Sequence, residues 1–484
     1  MGNNTITARE GIFPFNFKPT KCYCTSSNSC QRQGFNVIKT RDDVHPWCFS
    51  KSGNNLTLCE QSEDCSWTAS KAEFSFSTLR ERIEPWLTSL FQSEHLSVLI
   101  GSGLSIGVCD IAKVKSSQMP STDFSVLNDE LPHLIKEAAN ALGRGNGNFE
   151  DAIRVASSLL PGLKITDKNI AAKLEEEINI KINKFIDSLL SSEKALVSES
   201  NEDDRFHAIN CLIAFLMSFS SRTGTRERLN IFTTNYDRFI EEAADLAGLR
   251  LIDRFTGQLA PVFRASRLDV DMHYNPPGIR GEPRYLEGVA RFTKMHGSID
   301  WFQFGNMIRR VCIPFGAHSI EPYLNAPGLY TGSPYSVMIY PKSSKDSETT
   351  FYPYVELFRD FASAICRPNS TIVTYGYSFG DEHINKIIRD MLTIPSTHLV
   401  IISYNDCLER IKAFYNETPH KDQISLLIGS EVASIDKLTE YYLPKSAIDF
   451  ATSRMSKILE NRYRTNSSYE KKDDVDSKNA EEEK

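Results

Sequence analysis

No stretch of this 484-residue chain is long and apolar enough to cross a bilayer. The densest, from Cys211 to Met217, falls far short of the roughly 20 residues a spanning helix needs. The first residues, Met1-Gly2-Asn3-Asn4-Thr5-Ile6, carry neither the basic nor the apolar region of a secretion signal, and Ile6 stands where a myristoylation signal needs Ser or Thr. A large basic field is missing too. The 55 Lys and Arg are outnumbered by 62 Asp and Glu, a net charge of −7, so nucleic-acid binding through bulk charge is not expected. The eleven cysteines are an odd number, and Cys109, Cys211, Cys312, Cys366 and Cys407 stand singly. With no export signal, this pattern is expected of a reducing cytoplasm and free thiols. What remains is a globular mixture, 40% hydrophobic and 24% charged, on a chain too long for one compact unit.

The texture divides the chain. Residues 1–75 are polar and carry Cys22, Cys24, Cys30, Cys48, Cys59 and Cys65. A helical pattern follows (Leu79, Ile83, Trp86, Leu87, Leu90) and leads into the apolar run from Leu96 to Ile100, which stops at a glycine as a strand would. Residues 107–228 form a helical insertion. Its clearest segment places Ile170, Leu174, Ile178, Ile182, Phe185 and Leu189 on one face, with Thr166 or Asp167 as the cap, and a second helix runs near Phe206 to Phe219. Strands are expected at Asn230 to Thr234, Arg291 to Met295, Ser336 to Tyr340, Thr371 to Tyr375 and Leu399 to Ser403. Helices from Tyr236 to Ala247 and from Asp381 to Met391 separate some of them. This alternation predicts an α/β fold with a Rossmann-like, doubly wound parallel sheet built from 76–106 and 229–410. The segment from Asp253 to Pro283 is expected to form loops, 411–460 a C-terminal helical segment and 461–484 a disordered charged tail.

Four strand ends carry chemistry. Gly101-Ser102-Gly103-Leu104-Ser105 follows the first apolar strand, where glycines let backbone approach a phosphate and a helix start favours an anion. A dinucleotide fingerprint would have its third glycine at Ile106, so this motif taken alone reads first as a plain strand-to-helix turn. Thr233-Thr234-Asn235-Tyr236-Asp237 lies at the next strand's carboxyl end, where open parallel sheets bind ligands; Thr234 or Asn235 could also simply cap a helix. His296, in Lys294-Met295-His296-Gly297-Ser298, follows another strand and can take a proton near neutral pH. In Gly376-Tyr377-Ser378-Phe379-Gly380-Asp381, Ser378 could hold a ribose or phosphate oxygen, while Asp381 suits a helix N-terminus for dipole reasons alone. Asn405 adds a fifth group at the same edge.

Taken in order, these motifs resemble a sirtuin-like NAD-binding domain. Gly101 to Ser105 resembles its glycine-rich opening, Thr234-Asn235 its Gln-Asn pair, His296-Gly297 its catalytic His-Gly, Gly376-Tyr377-Ser378 its late Gly-x-Ser loop, and Asn405 its late asparagine. The resemblance covers 95–106 and 229–410 and is closer to the bacterial sirtuin-like NAD hydrolases of anti-phage defence. Protein-deacylating sirtuins carry a Pro-Asp-Phe-Arg loop where this chain reads Gly107-Val108-Cys109-Asp110-Ile111. They also have a paired Cys-x-x-Cys zinc module, where this chain has only Cys312 and Cys366 between His296 and Ser378. The hydrolase branch tolerates both departures. The resemblance implies NAD as substrate and nicotinamide and ADP-ribose as products. It implies Asn235 and His296 as catalytic residues, with Gly101, Ser102, Gly103 and Ser105 at the pyrophosphate. Thr234, Gly376, Ser378 and Asn405 fall to the cofactor, and Asp237 either orients Asn235 or binds ribose. It further implies a homo-oligomer or a separately encoded regulator, a HerA-type ATPase or a short Argonaute. A protein deacylase and a non-catalytic NAD or ADP-ribose sensor are the other readings. The six N-terminal cysteines with His45 could ligate zinc by ligand type, though not by the usual spacing; the other reading is a loosely ordered extension.

Overall fold

The computed structural model of the protein describes residues 35–59, 67, 73–117, 122–128, 130–141, 147–222, 226–265, 271–274, 284–304, 307–324, 337–339, 352–407 and 409–445. Eleven strands make the main sheet. In chain order they are β1 (Phe35–Lys39), β2 (Trp47–Ser52), β3 (Asn55–Leu58), β4 (Glu73–Ser75), β5 (His95–Ile100), β6 (Asn230–Thr233), β7 (Arg250–Ile252), β8 (Val289–Lys294), β9 (Ser370–Tyr375), β10 (His398–Ser403) and β11 (Ile424–Ile428). Across the sheet they run β4-β3-β2-β1-β11-β10-β9-β5-β6-β8-β7. From β11 to β7 every neighbour is parallel, which makes a Rossmann-like, doubly wound sheet. The chain leaves β5 toward β6 and later returns through β9 on β5's other side. The switch in winding direction, where such sheets bind ligands, therefore lies between β5 and β9.

Both faces are buried, and the period of two shows which side chains go where. Leu96, Val98 and Ile100 join the core formed with helices α1 (Phe76–Phe91) and α2 (Gly103–Ile111). Leu99 joins the opposite core. Along β10, Val400 and Ile402 alternate with Leu399 and Ile401 in the same way. The helical insertion supplies α3 (Leu131–Ala141), α4 (Phe149–Thr166), α5 (Lys168–Ser198) and α6 (Glu202–Ser220). Asp167 is the cap of α5, accepting the N–H groups of Asn169 and Ile170 at 3.0 and 3.1 Å. Asn148 and Asp151 form a capping box at α4. The apolar stripe of α5, from Leu174 to Leu189, packs with Phe149 and also with Ile299 and Phe302, so the insertion's core runs on into a second sheet.

That second sheet differs from the expected pattern. Val337–Ile339 pairs antiparallel with Gly297–Phe304 and lies outside the main sheet. Two-residue strands at Phe255–Thr256 and Val262–Phe263 complete the antiparallel layer inside a segment read as loop. The region before residue 76 also differs. β1 to β4 extend the main sheet as an antiparallel meander, with β1 on β11. Phe49, Trp67 and Phe74 meet edge to face at 5.5–5.9 Å, so this part has a core of its own joined to the rest. The C-terminal segment, read as helical, contributes β11 as well as the helix Arg410–Glu417. The charged tail, 461–484, lies outside the described residues. No helix among the described residues is long and apolar enough to cross a membrane.

Candidate functional site

The site is assembled from loops that leave β5, β6, β8 and β9 at one edge. β5 and β9 run in register, and Gly101 N–H donates to Tyr375 O at 3.0 Å. Gly103 N–H then donates to Gly376 O at 3.1 Å. The contact is so close that a Cβ on Gly101 would stand 2.4 Å from Gly376 O, and one on Gly103 2.6 Å from Gly376 Cα. Gly376 itself has φ +59°, which glycine adopts without strain. These glycines are therefore required by each other's backbone. An anion arriving at this turn meets the start of α2 and the exposed Ser102 side chain, which makes no capping bond of its own.

Thr233 ends β6 and its hydroxyl donates to Ile100 O at 3.0 Å, while Thr234 N–H donates to the same carbonyl at 3.2 Å. The chain then turns inward. Asn235 is 5% exposed, and its Nδ2 donates to Gly101 O and to Ser105 Oγ, both at 3.1 Å. Ser105 in turn donates to Asp237 Oδ2 at 2.7 Å. The order of donors is self-consistent: carboxylate accepts from hydroxyl, hydroxyl accepts from amide. Ser105 was expected at the pyrophosphate turn, and its hydroxyl is instead this bridge. Of the two roles open to Asp237, orienting Asn235 is the one with a contact behind it, made through Ser105. Burial pushes the Asp237 carboxyl above its ordinary range, with the Lys294 charge pulling the other way. Both N–H groups of the Asn235 amide are spent inside the protein, so its carbonyl Oδ1 is what it offers a ligand.

β8 is in register with β6, Lys294 opposite Thr233, so Asn235 and His296 each stand two residues beyond a paired position on adjacent strands. Lys294 is buried and holds the β6 loop from below, donating to Tyr236 O, Asp237 O and Glu241 Oε1. His296 is 9% exposed, and its Nε2 lies 3.0 Å from Asp381 Oδ2. Its ring sits 6.3 Å from that of Tyr236. Asp381 comes from the β9 loop, which thus reaches from Gly376 on β5's turn across to β8's. Contacts of Asn235 with Gly101, of Gly101 with Gly376, of Asp381 with His296 and of His296 with Tyr236, joined by the two loops themselves, link these residues along one rim of the sheet. Ser378 is half-buried in the same loop, beside Gly380 and Arg410. Asn405 stands apart in its bonding: it is exposed, and its Oδ1 accepts Cys407 N–H at 2.9 Å, folding its own turn.

Three groups escaped the sequence reading. Tyr236 is fully buried, donates from its hydroxyl to Glu150 on α4 at 3.0 Å and packs on Phe185 of α5. Glu193 of α5 accepts Arg238 N–H at 2.9 Å and grips the Arg238 guanidinium at 2.5 and 3.3 Å. Burial raises the Glu193 carboxyl to about 7 against the pull of Arg238. Asp381 was legible as a helix cap, but its second oxygen was not. The signal for Glu193 was present, since it is a carboxylate set between Leu189, Leu190 and Leu196 on an apolar stripe. For zinc, Cys22, Cys24, Cys30 and Cys65 lie outside the described residues. Among the described residues no group of three or more His, Cys, Asp or Glu side chains is placed to hold a metal.

Residues 229–421 match the family model of the SIR2-like domain, whose members use NAD. The match supports a sirtuin-like family and an NAD-related activity for that segment. It begins after the helical insertion, so the glycine turn of β5 lies outside it and joins the site only through the fold. No curated protein matches the chain significantly.

Proposed function

We propose that the protein is an NAD glycohydrolase that releases nicotinamide and leaves ADP-ribose. The observation that supports this reading most is the set of contacts linking Asn235 to His296 through the β5 and β9 glycine turns at the winding switch. It sets the Asn235 amide and the His296 imidazole on loops of adjacent strands, at an edge where a dinucleotide would lie. Nicotinamide departs from a cationic state and needs little acid assistance. The work left to the protein is to place a nucleophile and remove its proton. Asn235 Oδ1 accepts from a water or a ribose hydroxyl. As the C–N bond breaks, nicotinamide keeps the bonding pair, water oxygen attacks the anomeric carbon, and the His296 imidazole takes the proton. General-base help of this kind is worth roughly 10²–10⁴-fold. The α2 N-terminus with Ser102 faces the pyrophosphate and Ser378 the adenosine side. Sequence motifs alone favour an anti-phage effector under the control of a partner or of self-assembly.

Incubating the full chain with NAD, with and without an acetylated peptide, and following free nicotinamide tests the reading. Peptide-independent release is expected, and it is lost in His296→Ala and Asn235→Ala variants that still melt like the parent. Release only with peptide favours the deacylase; NAD binding with no release favours the sensor. The first result removes the hydrolase reading, and the second removes a hydrolase that acts without a partner.

A further inference from the structure

Asp381 spends its two oxygens in different directions. Oδ1 accepts the N–H groups of His383 and Ile384, at 3.0 and 3.4 Å, and so caps the helix Glu382–Leu392. Oδ2 lies 3.0 Å from His296 Nε2. Asp381 is 7% exposed and His296 9%, so the contact is sheltered from water. A helix cap needs a side-chain oxygen, and Asn, Ser or Asp serve about equally well. A histidine partner that must only accept needs a carboxylate. Both demands fall on one residue, and only Asp meets both at this length.

We propose that Asp381 is a positioning residue that fixes His296 in the tautomer carrying its proton on Nε2, so that Nδ1 is the ring atom that takes the proton. An ionised carboxylate has no hydrogen to give, so a 3.0 Å contact with it requires Nε2–H. In the neutral ring the lone pair is then on Nδ1, whatever that atom touches. The cap makes the orientation firm, because turning the carboxylate to release His296 would also strip the first turn of the helix. The inference rests on the hydrolase reading only for its effect on turnover.

The test uses the full chain labelled with 15N-histidine, without NAD, at a pH where the ring is neutral. His296 is assigned by the signal lost in His296→Gln. Two-bond 1H–15N spectra are expected to show Nε2 as the protonated nitrogen and Nδ1 as the bare one. In Asp381→Asn the cap keeps the side-chain oxygen, which leaves the amide NH2 facing the ring. A donor there matches only a bare Nε2, so the pattern should invert while the melting temperature stays near that of the parent. With NAD, the same variant is expected to lose on the order of 10²–10⁴-fold in kcat with KM little changed. Protonated Nδ1 in the parent, or the parent pattern kept in Asp381→Asn, overturns the proposal. The spectra need no turnover. If the parent releases no nicotinamide while the tautomers behave as stated, a hydrolase active without a partner is removed and the assignment of Asp381 stands.

Discussion

Gly103 and Gly376 approach so closely that each acts as the other's steric limit. An alanine at 376 would also be held at φ +59°. Gly376→Ala is therefore expected to cost about 1–3 kcal/mol through overpacking alone and to abolish the proposed nicotinamide release, because the displaced turns carry Asn235's acceptor and Asp381. Gly162, inside α4 with nothing within 4 Å of its added Cβ, is the control: Gly162→Ala should gain up to about 1 kcal/mol. Urea midpoints of the two variants check both signs. The pair also shows what a sequence can and cannot say about a residue. A glycine after a strand announces that something comes close. It does not name the visitor, which here is another loop more than a phosphate. The same holds for Asp381, whose capping oxygen follows from its place before a helix, while its contact with His296 depends on a loop crossing from a strand three places away.

α5 carries Glu193 to the β6 loop, and the pair it makes with Arg238 ties the helical insertion to the residues next to Asp237. Removing one member of a buried ion pair leaves the other without compensation. Glu193→Ala is therefore expected to lose about 3–5 kcal/mol in denaturant titration, with Glu193→Gln losing less because it still accepts the Arg238 N–H. A helix as long and periodic as α5 was readable from its four-residue steps, and so were β5, β6, β9 and β10, whose apolar runs end at glycine or small polar residues, and β8, which leads into His296-Gly297. β2 was not, because only Phe49 among its six residues is buried and its pattern is too dilute to stand out. The strands at Phe255–Thr256 and Val262–Phe263 are two residues long, below any periodicity, and exist because Trp301 and Leu357 pack on their aromatic side chains. β11 is a buried run of five in which Ser425 interrupts the apolar residues, so it did not stand out from the helical segment expected around it.

Across the whole molecule, the meander before residue 76 changes how the sheet responds to acid. His398 of β10 is 8% exposed, with Nε2 2.9 Å from Ser425 Oγ on β11. Burial, and then the charges of Lys39 and Arg41 beyond β11, lower it to about 4. The unfolded chain binds a proton at this residue near its ordinary value of 6.5, and the folded one does not until about 4. Stability from this site is therefore complete above 6.5 and falls with pH down to about 4, by on the order of 3 kcal/mol. Unfolding free energies at pH 7 and 4.5 should differ less in His398→Gln than in the parent. Lys39 also donates to Lys421 O and Ile424 O at 3.1 and 2.9 Å, and Gly429 leaves room only for Asn36. β1 is thus fastened to β11, Val37 opposite Ile428. Residues 35–39 leave the ribosome long before the strand they pair with is made. Until then the growing sheet keeps one flank open, and a chain that stops short of Ile424 can never close it. The pairing works as a seal on chains that extend through β11, and fragments that stop before it are left with an adhesive border for proteases and chaperones to find.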